Sequence, residues 1–295
     1  MDGVLIIDKE KGYTSNDVVA KLRGILRQRK IGHAGTLDPD ATGVLVVLLG
    51  RATKLSGLMM SGQKCYRAGL RLGITTDTQD TGGTVLSERE PETDPEKIRE
   101  AILSFQGEYD QIPPMYSALK VNGRKLYQYA RSGQEVLREA RKVTIESIAI
   151  EAIDPPFASF TVECSKGTYV RTLCHDIGQR LGCGAAMESL CRVRSGSFTL
   201  EDSVKIGEVR ELFEAGRLEE KLIGLDRILE EYPVFVCDEA HEKALLNGNR
   251  LAPAWGSGTV PPKVPAVVKD SRGNIRALYR LKEEDDMLHP DVMLL

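Results

Sequence analysis

The 295-residue sequence has no apolar run longer than the six residues at 44–49, far short of the roughly 20 that a membrane-spanning helix needs. No spanning segment is therefore expected. The opening residues, MDGVLIID, lack a basic stretch ahead of an apolar one, so no export signal is read and a cytoplasmic location is expected. Cysteine is sparse and unpatterned. Cys65, Cys164, Cys174, Cys183, Cys191 and Cys237 include no C-x-x-C pair, and the adjacent Cys174 and His175 have no further partner at zinc-like spacing. Reduced, mostly buried thiols and no metal centre are expected. Charge of one sign is not in excess, since 40 Lys and Arg against 43 Asp and Glu leave a net −3. Nothing global marks a nucleic-acid binder, although a local basic face is enough to hold phosphates. Internal repeats and low-complexity tracts are also missing. What remains is 41% hydrophobic and 28% charged with 28 glycines, an ordinary globular composition for one large domain, or a large one with a small one.

Residues 4–7 read as a short buried strand. After the turn that follows, Ser15 reads as a helix N-cap, with Asn16 and Asp17 in the first turn. Val18, Val19, Leu22, Ile25 and Leu26 then recur at helical spacing and define one apolar stripe. The same helix carries Lys21, Arg23, Arg27, Arg29 and Lys30 with no intervening acid, either a solvated face or a phosphate contact. Residues 32–43 show neither helical nor strand periodicity, and the run at 44–49 suits a strand buried on both sides. Strand patterns return at 66–72, 143–150 and 160–164. Asp94 before Pro95 opens a helix whose Ile98, Ala101, Ile102 and Phe105 share a face, and residues 169–181 read as another helix. Strands and helices without regular βαβ spacing indicate an α+β fold. Composition shifts near Tyr232, and short β pieces at 234–236, 266–268 and 277–279 predict a separate β-rich module. The division expected is 1–230 and 231–295.

The loop at 32–43 carries the chemistry. Gly32, Gly35 and Gly43 permit backbone geometry that other residues resist, and Pro39 keeps Asp38 out of helical geometry. A carboxylate held this way ahead of a buried strand suits a rigidly mounted catalytic group. On pattern alone, a turn in which Asp38 accepts from nearby amides is the simpler reading.

The string GHAGTLDPDATGVL at 32–45 resembles the active-site motif of the bacterial tRNA pseudouridine-55 synthase family. The resemblance is ordered along residues 3 to about 200. DKEKGYTSN at 8–16 resembles the family's opening motif, with Glu10 where proline is usual. Tyr66-Arg67, Leu72-Gly73 and TDTQD at 76–80 follow, then PPMYSALK at 113–120 with 123–131, KGTYVRT at 166–172 and LCRVRSG at 190–196. The resemblance implies a pseudouridine-synthase mixed sheet with flanking helices and, more weakly, a C-terminal PUA-like RNA-binding domain. It implies an enzyme that works without a cofactor on the T-arm of tRNA, as a monomer.

It also implies roles. Asp38 would attack the target nucleotide through a covalent or a glycal-type intermediate, splitting one hard step into two. Arg171 would pair with Asp38 and keep it ionised; the plainer reading is a surface ion pair. Tyr66 would stack on the uracil and help the C5 proton leave, with Tyr169 and Leu190 lining the pocket; each also passes as a core residue. His33 would fill the space vacated by flipped nucleotides, offsetting part of the unstacking cost. Lys11, Lys120 and Arg131 would contact RNA. Between Lys120 and Lys142, Arg124, Lys125, Arg131, Arg138 and Arg141 are opposed only by Glu135 and Glu139, with Tyr116 and Tyr127 adding aromatic faces. Two other classes remain open from residues alone: an RNA-binding protein without activity, and an aspartate-dependent hydrolase of small molecules. The second usually needs a metal or an activating base.

Overall fold

Strand direction and apolar alternation set the architecture of the computed structural model, which describes residues 1–295. The chain runs through β1 (Gly3–Lys9), α1 (Ser15–Leu26), β2 (Ile31–Ala34), β3 (Thr42–Leu49), α2 (Ser56–Met59) and β4 (Lys64–Leu72). A hairpin of β5 (Ile74–Thr76) and β6 (Val85–Glu88) precedes α3 (Pro95–Leu103) and β7 (Gly107–Gln111). A second, β8 (Lys120–Val121) with β9 (Arg124–Lys125), leads into α4 (Leu126–Arg131). Then come β10 (Arg141–Asp154), β11 (Phe157–Cys164), α5 (Val170–Leu181), β12 (Ala185–Ser195), β13 (Phe198–Thr199) and α6 (Ile206–Glu214). The last part holds α7 (Leu225–Ile228), β14 (Val234–Cys237), α8 (Glu242–Leu246), β15 (Gly256–Ser257), β16 (Ala266–Lys269), β17 (Ile275–Lys282) and β18 (Met287–Met293).

Nine strands form one sheet in the order β1-β3-β12-β4-β11-β10-β7, with β2 also on β3 and β13 on β12. It is mixed, because β12 runs parallel to β3 while its other pairings are antiparallel. The second sheet has the order β15-β14-β16-β17-β18. The α+β expectation holds.

Period-two alternation sends the residues of β1 and β3 to two cores. Leu5, Ile7, Leu45, Val47 and Leu49 pack against Val18 and Leu22 of α1 and Val209 of α6. Val4, Ile6, Val44, Val46 and Leu48 pack against Val267, Ile275 and Leu278 of the second sheet. With both faces covered, the strand has no polar side to show, which is why residues 44–49 read as an unbroken apolar run. A third core lies under α3 and α5. There Ile98 and Ile102, and Leu173 and Ile177, each one helical turn apart, meet Leu70, Phe160 and Val162.

Three expectations are corrected. The cap of α1 is Thr14, not Ser15: Thr14 Oγ1 accepts from the Asp17 amide at 3.1 Å, and the Asp17 carboxylate accepts from the Thr14 amide at 2.8 Å. Two orphan donors are satisfied reciprocally, which leaves Ser15 free for another task. Residues 31–34 are a strand, paired from Ile31 opposite Leu49 to Ala34 opposite Val46; four residues offer too few alternations to show a period. The C-terminal sheet is not packed as a free-standing unit. Its own cluster contains only eight buried residues, and its other face closes onto β1 and β3.

Candidate active site

Strands β2 and β12 share one edge of β3. The first pairs with its second half, and the second pairs with Thr42 and Gly43. The intervening residues 35–41 must leave the sheet and return within that gap, and Asp38 lies on this loop. The turn into and out of it needs Gly35 and Gly43, at φ of 87° and 97°; a Cβ on Gly43 would lie 2.3 Å from the Arg192 carbonyl oxygen. Gly32 meets no such demand, with only Thr53 Cγ2 within reach at 3.9 Å.

The loop is clamped on both sides of Asp38. Leu37 and Ala41 are buried in the α1 core. Ser15 Oγ accepts from the Leu37 amide at 2.9 Å and donates to its carbonyl at 3.2 Å. Lys9, fully buried, donates to the carbonyls of Pro39 at 3.0 Å, Tyr13 at 2.6 Å and Glu10 at 3.1 Å. Gly12 N–H also reaches the Pro39 carbonyl at 2.9 Å. Every backbone neighbour of Asp38 is thus tied down while its side chain stays 41% exposed, the combination a mounted nucleophile needs.

Asp38 binds a guanidinium instead of nearby amides. Arg171 Nε lies 3.0 Å from Oδ2 and Nη2 lies 3.4 Å from Oδ1, a two-point pairing that fixes the carboxylate's plane. Arg171 is itself only 7% exposed at its side chain. Its remaining donors go to Thr78 O at 2.9 Å, Tyr116 O at 2.9 Å and Asp80 Oδ2 at 3.5 Å. Asp80 is oriented by Thr78 Oγ1 and the Gly82 amide. A buried arginine with every donor engaged is not a loose surface ion pair. The start of α5, which carries Arg171, is gripped by the buried Gln111 of β7. Its Oε1 accepts from the Tyr169 amide at 2.8 Å, and its Nε2 donates to the Tyr169 carbonyl at 3.0 Å.

Tyr66 and Leu190 lie at the seam where the α1 core meets the α5 core, half-buried and packed against both. Register places Leu190 opposite Ala68 and Arg192 opposite Tyr66, so these four side chains share one face. Burial pushes the Tyr66 phenol up, the Arg192 guanidinium draws it down, and the Asp38 carboxylate pushes it up again. Burial likewise raises the half-buried Tyr169, which feels both Arg171 and Asp38. Asp38, Arg171, Tyr66, Tyr169 and Leu190 therefore converge. His33 stands on β2 with Nδ1 buried and unpartnered, and burial followed by the charge of Arg192 lowers its affinity for a proton. A neutral flat ring results.

The basic residues lie outside this centre. Lys11 is exposed in the turn after β1, and Lys120 is exposed on the β8–β9 hairpin. Arg131, exposed at the end of α4, stands 5.4 Å from the Tyr127 ring centroid. On α1, Lys21 and Arg23 are engaged by Tyr13 Oη and the Ile31 carbonyl; Arg27, Arg29 and Lys30, expected on the same helix, are exposed beyond it, because α1 ends at Leu26 with Arg27 as its left-handed cap. The sequence did not single out Asp80, Lys9, Gln111 or Arg192, and it marked Ser15 only as a helix cap. Several lie inside the quoted motifs, but their work is done on backbone carbonyls and amides that only the fold brings near. No helix is long and apolar enough to cross a membrane.

The chain aligns with a solved Cbf5–Nop10–Gar1 complex at a TM-score of 0.74 and 25% identity, covering 99% of this chain and 85% of that one. An H/ACA RNP bound to a substrate RNA containing 2′-deoxyuridine matches at a TM-score of 0.73 and 23% identity, with the same coverage; it speaks to the fold alone. The chain belongs to the TruB family of pseudouridylate synthases. The family's N-terminal domain matches residues 23–170, and the tRNA pseudouridylate synthase B C-terminal domain matches 171–232. The tRNA pseudouridine synthase B of Clostridium acetobutylicum is 48% identical over 96% of this chain and 97% of its own. That of Geobacter sulfurreducens is 49% identical over 76% and 74%.

Proposed function

We propose that this protein isomerises uridine to pseudouridine in tRNA, at position 55 of the T-loop, with Asp38 as the attacking carboxylate. The reaction breaks the bond from N1 to the ribose, turns the uracil, and rejoins it through C5. Asp38 attack divides that exchange into two easier steps. Arg171 aims the carboxylate, and Tyr66 and Leu190 sandwich the base with Tyr169 at the rim. Tyr66 then serves the departing C5 proton. A uridine inside a folded loop reaches Asp38 only by leaving its stack, which costs a few kcal/mol, and the neutral ring of His33 offsets part of that loss.

The observation that carries this reading is the two-point contact of Arg171 with a half-exposed Asp38 on a fully clamped loop. We read the protein as acting as a monomer on the T-arm. Lys11, Lys120 and Arg131 supply the positive face for the T-arm. Residues 1–230 carry catalysis and 231–295 add an RNA-contacting PUA-like surface. There the acidic residues 283–286 tell against extensive phosphate contact, but Asp285 among them is already engaged by Arg250 and His289. Reduced, free cysteines and a tRNA substrate fit a cytoplasmic setting.

Mapping pseudouridine in tRNA treated with the protein tests the reading. Wild type should modify one T-loop uridine, while Asp38→Asn should bind tRNA normally and modify none. Binding by the wild type without any isomerisation would leave an RNA-binding protein in its place.

A further inference from the structure

The largest fully buried side chain in the molecule is a cation. Arg192 is 1% exposed, with Nε donating to the Val44 carbonyl at 2.8 Å and Nη2 to the Gly35 carbonyl at 2.9 Å. No acid answers its charge. Asp38, the carboxylate that acts with Arg192 on the Tyr66 phenol, is committed to Arg171. The groups it faces include Lys9, Lys64 and His33, each held less basic by burial first and by Arg192 in addition. An uncompensated buried charge destabilises a fold, and apolar side chains of similar volume commonly replace such groups without loss. Packing alone does not call for arginine here.

Its position does. β12 sets Arg192 opposite Gly43 of β3 on one side and opposite Tyr66 of β4 on the other. The two carbonyls it holds, Gly35 and Val44, bracket the loop that presents Asp38. A Cβ on Gly35 would lie 3.4 Å from Nη1, so the glycine helps to leave room for the guanidinium. One side chain thus reaches both ends of the nucleophile's loop and the strand that carries the stacking tyrosine.

We propose that Arg192 is a positioning residue for the isomerisation, fixing the Asp38 loop in register with Tyr66 and presenting its positive charge to the Tyr66 hydroxyl. The inference rests on the roles given above to Asp38 and Tyr66. Three charged or titratable groups face that phenol: Arg192 from β12, Cys164 from β11 and Asp38 from the loop. Burial, Cys164 and Asp38 hold its proton on; Arg192 pulls the other way. Tyr66 first releases its own proton to water, an ionisation that burial makes rare at neutral pH; when the turned uracil then gives up its C5 proton, the C–H electron pair stays in the ring and the proton passes to the phenolate oxygen. A neighbouring cation favours that phenolate.

The test compares full-length wild type, Asp38→Asn, Arg192→Gln and Arg192→Lys on unmodified tRNA. It measures single-turnover pseudouridine formation from neutral to alkaline pH, tRNA affinity, and folded fraction by circular dichroism. Activity in the wild type and none in Asp38→Asn establish the parent reading without reference to Arg192. Arg192→Gln is expected to bind tRNA within about threefold of wild type and to react about 100-fold more slowly, as for a small misplacement of reacting groups. Its alkaline rise in rate should move to higher pH. Arg192→Lys restores the charge but not both carbonyl bonds, so it should recover part of the rate and bring the rise back. Three results overturn the proposal and leave Arg192 a core residue: wild-type rate and pH profile in Arg192→Gln, a rate loss proportional to the unfolded fraction, or failure of both variants to fold.

Discussion

Arg171 shows what a single side chain can be asked to do. Its guanidinium meets both oxygens of Asp38, reaches Asp80, and donates to two carbonyls. A lysine brings the same charge but a single ammonium that cannot span that set. Arg171→Lys should therefore retain tRNA affinity and lose about 100-fold in the rate of pseudouridine formation, because the carboxylate keeps a counter-ion and loses its aim. A KM that rises with kcat unchanged would show instead that Arg171 serves binding. At this scale the sequence was legible only through motif resemblance. Asp38 and Arg171 are far apart along the chain, and no local spacing rule connects them. Asp80 escaped notice although it lies in a quoted motif, since its partner becomes visible only when the 77–80 turn folds against α5.

Elements were read more directly, because periodicity and caps are local. The stripe of α1, the Asp94 cap of α3 and the strands β4, β10 and β11 all follow from residue patterns. How elements are joined was not legible. Gln111 satisfies both backbone groups of Tyr169 from a different strand, and nothing in its neighbourhood in the sequence announces that. Gln111→Leu strips the Tyr169 amide of its partner, at about 1–3 kcal/mol for the donor left unsatisfied, while the Tyr169 carbonyl keeps the Leu173 amide. Urea unfolding should show that loss. Pseudouridine formation should fall further than stability explains, since the start of α5 aims Arg171; a rate that tracks the folded fraction would refute this.

The same helix carries a second test. Asp176 has no hydrogen-bond partner among the side-chain contacts of α5, faces Tyr109, and is pushed up to about 6 by burial. A carboxyl raised in the folded state binds its proton more tightly there than in the unfolded chain. It therefore weakens the fold in full above pH of about 6 and not at all below its ordinary value of 3.8. Asp176→Asn should raise stability by about 1 kcal/mol at neutral pH, allowing for screening of a half-exposed group. The gain should shrink to nothing as pH falls through that window. A constant gain across the window would assign the effect to something other than ionisation.

Across the whole molecule, β1 and β3 belong to two cores at once. The α1 and α6 helices cover one face and the C-terminal sheet covers the other. The apolar run at 44–49 foretold two covers, and the composition shift near Tyr232 foretold a second sheet; that the second sheet is one of the covers could not be read, because nothing local marks its inward face. The consequence is cooperative. Leu278, 2% exposed, faces the shared core, and truncating such a leucine to alanine costs about 2–5 kcal/mol. If the two sheets stand or fall together, Leu278→Ala lowers one unfolding transition for the entire chain. The single tryptophan makes this measurable, since Trp255 packs on the second sheet's own cluster and its fluorescence reports that part alone, while far-ultraviolet circular dichroism reports all of it. Coincident midpoints, shifted equally by the substitution, are the expected outcome. A tryptophan signal that melts early while most of the helix and sheet signal persists would mean that the seam adds little, and that the catalytic sheet holds its shape without its C-terminal cover.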